Sequence, residues 1–178
     1  MDLSLTSSPG LKIMKLLKII FLFSGILGLL ITMSFCVILY LISNSIPKYE
    51  QALNSSDLTQ NVTIFRDNFG IPYIEASNDA DSFFALGYAH AQDRLWQMTL
   101  LRRLAQGRLS EIIGSKGLKS DKLMRTLGIC SLAQNSATHQ SKEIVSLLNA
   151  YSNGINFYIN QISQNSLGRG SPEFFLFT

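Results

Sequence analysis

The side chains of this sequence that are able to do chemistry are few, and most fall between residues 66 and 103. His90 and Asp93 stand three apart, a spacing that lets a helix use the carboxylate to orient the imidazole as a general base. The same spacing serves an ordinary helix-surface hydrogen bond or a contact with a neighbouring loop, and no Ser or Cys is placed obviously beside the pair. Arg94, Arg102 and Arg103 offer cations for an anionic substrate. On an amphipathic helix they serve equally as solvated groups or as partners of Asp93, Glu111 or Asp67. Trp96, beside Gln97 and Met98, suits a pocket wall or inter-helix packing, and His139 is isolated in a polar stretch typical of a surface. Cys36 lies in an apolar run and Cys130 far downstream, a placement that indicates neither a disulfide framework nor a metal site. These residues by themselves assign no catalytic, cofactor-binding or metal-binding position.

The elements that must carry them follow from pattern. Val62-Thr63-Ile64-Phe65 and Ile71-Pro72-Tyr73-Ile74 are short β-prone runs separated by Arg66-Asp67-Asn68-Phe69-Gly70, which predicts a hairpin. Asp and Asn initiate turns and Gly70 supplies a positive φ, while Pro72 belongs where its strand faces outward or is unpaired. Asn78 or Asp79 is placed to cap a helix, with Asp81 in its first turn. Phe84, Tyr88, Ala91, Leu95, Met98, Leu101 and Ala105 then step by three and four along one face, opposite Asp93, Gln97 and Arg103, with Gly107 as the stop. Leu109–Ile113 reads as a short helix ended by Gly114, and Lys119–Leu127 as another turn or two. A second long helix is predicted from about Ser141 to Ile162, with Gly154 inside it, where a glycine costs roughly 1 kcal/mol against Ala and so implies a packing reason.

Ile19 to Ile42 contains 24 residues without a charge, about 36 Å of helix against a hydrocarbon core of about 30 Å. Lys12, Lys15 and Lys18 precede it, which places the N-terminus in the cytoplasm and the rest of the chain on the extracytoplasmic side. The run is longer than the apolar part of a cleavable signal peptide, and an uncleaved anchor is the expectation. The boundaries read as a basic N-terminus over 1–18, the anchor over 19–42, a polar linker over 43–60 and a folded part over 61–178. The net charge of +3 leaves little excess outside the first 18 residues, and with no basic stripe interleaved with aromatics, nucleic acid is excluded as a partner. The class is α+β and mainly helical.

The order Arg66-Asp67, Gly70, Pro72, Gly87-Tyr88, Ala91-Gln92-Asp93-Arg94, Gln97-Met98, Arg102-Arg103 and Gly107 resembles the start of the penicillin acylase (penicillin amidase) family of N-terminal-nucleophile hydrolases. Tyr151, Gly154, Ile155 and Asn156 match a Tyr-x-x-Gly-Ile-Asn run of the same family, and Pro172-Glu173-Phe174 matches its Pro-x-x-Phe segment more loosely. The resemblance spans roughly residues 62–158, with a weaker echo to 175. It implies an αββα fold to which this chain contributes the entry hairpin and a helical layer, leaving the sheet incomplete. It implies hydrolysis of linear amides by a Ser at the N-terminus of a second chain, whose α-amine acts as base. No residue of this sequence matches that nucleophile: Ser115 and Ser171 follow glycines but precede Lys116 and Pro172.

The expected function is therefore the N-terminal fragment of a membrane-anchored acylase, inactive alone. The alternatives are an anchored interaction module or a non-functional gene remnant. Partners on this reading are the membrane, through residues 19–42, and a separately encoded remaining chain. The family implies calcium in a full-length protein, and no cofactor is assigned to this chain. One expectation is geometric: Asp67 or Asp93 pairs with an Arg of the helical layer and ties hairpin to helix.

Overall fold

A computed structural model describes residues 9–45 and 47–165 of the chain, so Gly170-Ser171 and Pro172-Glu173-Phe174 lie outside the described residues. The chain divides into two compact units, residues 1–43 and 44–178. The first is the helix α1, Pro9–Ser45, which starts earlier than the apolar run and takes in all three lysines. Over Met14–Ser43 it is long and apolar enough by length and composition to cross a membrane, with a mean hydropathy of 2.5 and no side chain of the window buried.

The second unit begins its regular structure with β1, Thr63–Arg66, and β2, Pro72–Glu75, an antiparallel hairpin with Ile64 opposite Ile74 and Arg66 opposite Pro72. Its loop is organised by Asp67, whose Oδ1 accepts from the backbone N–H of Phe69 and of Ile71, both at 2.9 Å, while Gly70 takes φ 78°. Ile64, Arg66, Pro72 and Ile74 turn to the half-buried face. Phe65 and Tyr73 stack on the outer face with centroids 5.3 Å apart.

Helix α2, Asp79–Ala105, starts as expected: Asn78 is its N-cap, and Asn78 Oδ1 accepts from Asp81 N–H at 2.8 Å. After Gly107 come α3 (Ser110–Ile113), a 3-10 turn over Gly114–Gly117, α4 (Leu118–Leu127), α5 (Ile129–Thr138) and α6 (Lys142–Asn165). Helix α5 has no counterpart in the sequence pattern. It follows Gly128 in the left-handed conformation and has no buried residue, so no apolar period announces it.

The core lies where α2 meets α6. Tyr88, Ala91, Leu95 and Tyr158 are buried together, with Ile64, Ile155, Phe157 and Ile162 packed around them. Tyr88 meets Tyr158 edge-on at 5.6 Å and Phe157 at 5.9 Å. The face read from sequence holds through Leu95 and then fails: Leu101 is 64% exposed. Arg94 breaks the helical geometry at φ −140°, ψ 24°, and rotates the second half of α2 away from the stripe set by the first.

The glycines of the two helices explain the contact. A Cβ at Gly154 would lie 1.9 Å from Phe84 O, and one at Gly87 would lie 2.0 Å from Tyr151 O. The packing reason implied for Gly154 is thus a backbone-to-backbone approach. Gly154→Ala should lower the stability of the full chain by about 1–3 kcal/mol or more, the overpacking cost outweighing the helix-propensity gain of about 1 kcal/mol. Urea titration followed by Trp96 fluorescence checks this, and an unchanged or raised midpoint would contradict it.

Candidate functional site

Residues 48–60 do not hang as a free spacer. They form a strap across α2 and α6, fastened at three places. At its start, Gln92 Nε2 donates to Lys48 O at 3.2 Å. In its middle, Gln51 Nε2 donates to Tyr88 Oη at 3.1 Å, Tyr88 Oη donates to Gln161 Oε1 at 2.9 Å, and Gln161 Nε2 donates to Gln51 Oε1 at 3.1 Å. At its end, the Asp81 carboxylate accepts from Thr59 N–H at 3.0 Å, Thr59 Oγ1 at 2.7 Å and Gln60 N–H at 3.0 Å. Between strap, hairpin and helices lies a groove of about 830 Å³. Leu53, Leu58, Val62, Ile64, Phe84 and Phe157 give it an apolar wall, and Tyr49, Arg66, Gln92 and Asp93 close one end.

Arg66 is the hub of that end. Its Nη1 donates to Gly70 O and to Asp93 Oδ2, both at 2.9 Å, and its Nη2 donates to Gln92 Oε1 at 3.2 Å. Tyr49 covers the guanidinium with its ring centroid 4.3 Å from Cζ, and its hydroxyl donates to Asp93 Oδ1 at 3.4 Å. Burial, then the Asp93 charge, pushes the Tyr49 phenol up. Burial pushes Tyr88 up as well, and Tyr158 to about 12. These phenols stay protonated across the physiological range and act here as hydrogen-bonding and packing groups.

The expected tie between hairpin and helix is present with its ends exchanged: Asp93 of α2 meets Arg66 of the hairpin, while Asp67 organises its own turn. His90 and Asp93 do not form a pair. His90 Nδ1 is bonded to Tyr151 Oη at 3.0 Å across the helix interface, and Asp93 is turned to Arg66 and Tyr49. Arg103 pairs with Glu111, which Arg108 also holds. Arg94 and Arg102 are exposed, and Trp96 is half-buried. His139 sits in an exposed turn at Asn135 O. Ser115 is exposed in the 3-10 turn. Sequence reasoning missed Tyr49, Gln51 and Gln161, whose partners stand up to 110 residues away and leave no local signal.

Asp81 is 1% exposed. Burial raises its pKa, yet the hydrogen bonds from Thr59, Asn78 and Gln60 together outweigh burial and hold it below its ordinary value. A depressed folded-state pKa stabilises the fold above the unfolded-state pKa of about 3.9, and that stabilisation is lost as pH falls through the folded value. Asp81→Asn turns an NH₂ toward donors and should cost about 1–3 kcal/mol at neutral pH. The gap between wild type and variant should close as pH is lowered below about 4, as read from urea midpoints. A gap that stays constant down to acid pH would refute this role for the carboxylate.

Three similarities set this arrangement among known proteins. Residues 61–178 match the profile of the penicillin amidase family. The chain is 39% identical over 117 residues to an acyl-homoserine lactone acylase of Pseudomonas aeruginosa, covering 66% of this chain and 14% of that protein. It is 38% identical over 115 residues to a penicillin acylase 2 proenzyme of Pseudomonas sp., covering 65% of this chain and 15% of that protein. The thermostable penicillin G acylase of Alcaligenes faecalis superposes with a TM-score of 0.56 at 28% identity, over 62% of this chain and 59% of that one. The chain thus spans about one seventh of the length of these curated relatives. With hairpin, capped helix and glycine-packed partner helix all inside the matched region, the chain belongs to the penicillin amidase family.

Proposed function

We propose that this chain is the N-terminal part of the first chain of a membrane-anchored acylase that hydrolyses linear amide bonds of N-acyl compounds. The observation that carries the reading is the coverage: most of the second unit matches the family, yet it corresponds to 14% of the P. aeruginosa acylase. The nucleophile on this reading is a Ser at the N-terminus of a second chain. Its free amine takes the hydroxyl proton, and preorganised donors meet the oxyanion. Acyl-homoserine lactones and penicillins are the two substrate classes that the relatives bring forward, both N-acyl amines. Helix α1, by its length and composition, supports anchoring through residues 19–42, with the second unit on the extracytoplasmic side.

The contribution of this chain is then architectural. Strap, hairpin and helical layer form a pre-assembled block on which the catalytic sheet is built. The calcium implied for a full-length protein is assigned to no residue of this chain.

The chain purified alone, in detergent, should release no free amine from penicillin G or from an N-acyl-homoserine lactone, measured with an amine-reactive fluorophore. Measurable turnover by this chain would overturn the division of labour.

A further inference from the structure

Positive charge is unevenly spread along the second unit, and its surplus collects in one place. Residues 102–125 hold seven of the fifteen Lys and Arg residues against two carboxylates, Glu111 and Asp121, a balance of +5 in a chain whose whole charge is +3. Both carboxylates are already committed. Glu111 takes Arg103 and Arg108, while Asp121 is buried and accepts from the N–H groups of Leu109 and Ser110. Among the described residues no carboxylate pairs with Arg102, Lys116, Lys119 or Lys122, and all four are exposed.

Helix α4 sets two of these cations among leucines. Leu118 and Lys122 stand four apart, as do Lys119 and Leu123, and Leu123 and Leu127, so these five residues share one arc of the helix. The other side carries buried Asp121 and half-buried Met124. The leucines are left uncovered, with Leu118 49% exposed and Leu123 and Leu127 53% each. A protein partner does not suit this mixture, because lysine is depleted from protein interfaces and charge from their cores. Nucleic acid does not suit it either, because single strands are held on aromatic platforms and this arc has none. Leucine interleaved with lysine suits the boundary between membrane and water. There the aliphatic carbons enter the edge of the acyl region and the ammonium groups stay level with the headgroups.

We propose that α4, together with Lys116 of the 3-10 turn before it, is a docking face for an anionic lipid surface. The unpaired cations supply an attraction that a zwitterionic bilayer lacks, and Leu118, Leu123 and Leu127 supply the apolar contact. The proposal rests on the reading of α1 as a membrane anchor. A tether of that kind keeps the second unit near a bilayer, so a contact too weak to recruit a free protein is enough to hold a tethered one.

The test reconstitutes the full chain into vesicles of phosphatidylcholine alone and of an equal mixture of phosphatidylcholine and phosphatidylglycerol. Flotation with the vesicles is scored first. Lysines are then acetylated with a membrane-impermeant reagent and quantified by mass spectrometry, with Lys142, exposed on α6, as the internal reference. Relative to Lys142, Lys119 and Lys122 should label at least about threefold more slowly in the mixed vesicles than in phosphatidylcholine. A Leu123→Glu variant, changed at an exposed position, should label alike in both lipids. Equal labelling of the wild-type chain in the two lipids, or protection that survives Leu123→Glu, overturns the docking face and leaves the anchor reading standing. Failure to float with either vesicle overturns both.

Discussion

Helices α2 and α6 touch main chain to main chain because each presents a glycine to a carbonyl of the other. Gly154 faces Phe84 O and Gly87 faces Tyr151 O, and a methyl group at either position would fall inside the neighbouring backbone. Side chains of ordinary size hold helix axes about 8–10 Å apart. Removing two of them lets the adjacent residues do the packing instead. Tyr88, next to Gly87, reaches Tyr158 edge-on and Phe157 at a tilt, and His90 reaches the Tyr151 hydroxyl. The hairpin joins this core through Ile64. The strap does so through the ring of hydrogen bonds that Gln51 completes with Tyr88 and Gln161. That ring closes only when the two helices lie this close.

The carboxylates of the second unit divide into those that hold the fold and those that decorate it. Asp81 ties the strap to the start of α2, Asp93 ties hairpin to helix, and Asp121 accepts from the N–H groups of Leu109 and Ser110 where the chain enters α3. Asp81 and Asp121 are buried and supplied with donors, so removing either acceptor strands buried N–H groups. Glu111 with Arg108 is an exposed pair of the kind that contributes little. Of the residues that carry the family resemblance, Arg66, Asp67, Gly87, Tyr88, Gln92, Asp93 and Gly154 hold the fold, whereas Arg94, Gln97 and Arg102 are exposed. Among its charged members, Arg66 and Asp93 join the hairpin to the helix.

Much of this is legible locally. The Asp67–Gly70 turn, the Asn78 cap, the stop at Gly107 and the two long helices each follow from a few adjacent residues, because turn and capping bonds close within four positions. The legible part stops where a bond partner is distant. Residues 43–60 read as a linker because their composition is polar and uneven, whereas Tyr49, Gln51, Thr59 and Gln60 find helix partners 21 or more residues later. The apolar stripe of α2 reads straight through to Ala105, but the break at Arg94 turns Leu101 to solvent, and periodicity alone carries no sign of a kink caused neither by Pro nor by Gly.

The sequence by itself determined that an apolar helix precedes a hairpin and a pair of amphipathic helices, and that their key residues follow the order of the penicillin acylases. These properties live in spacing, which the chain carries unfolded. Which charged residues are spent as joints was settled only by the tertiary structure. Asp93 had His90 and the helical-layer arginines Arg94, Arg102 and Arg103 as candidate partners, and the folded hairpin instead brought Arg66 to 2.9 Å while the helix interface claimed His90 for Tyr151. Partner choice depends on distances between segments far apart in the chain, and those distances exist only after α2 and α6 have closed on their two glycines.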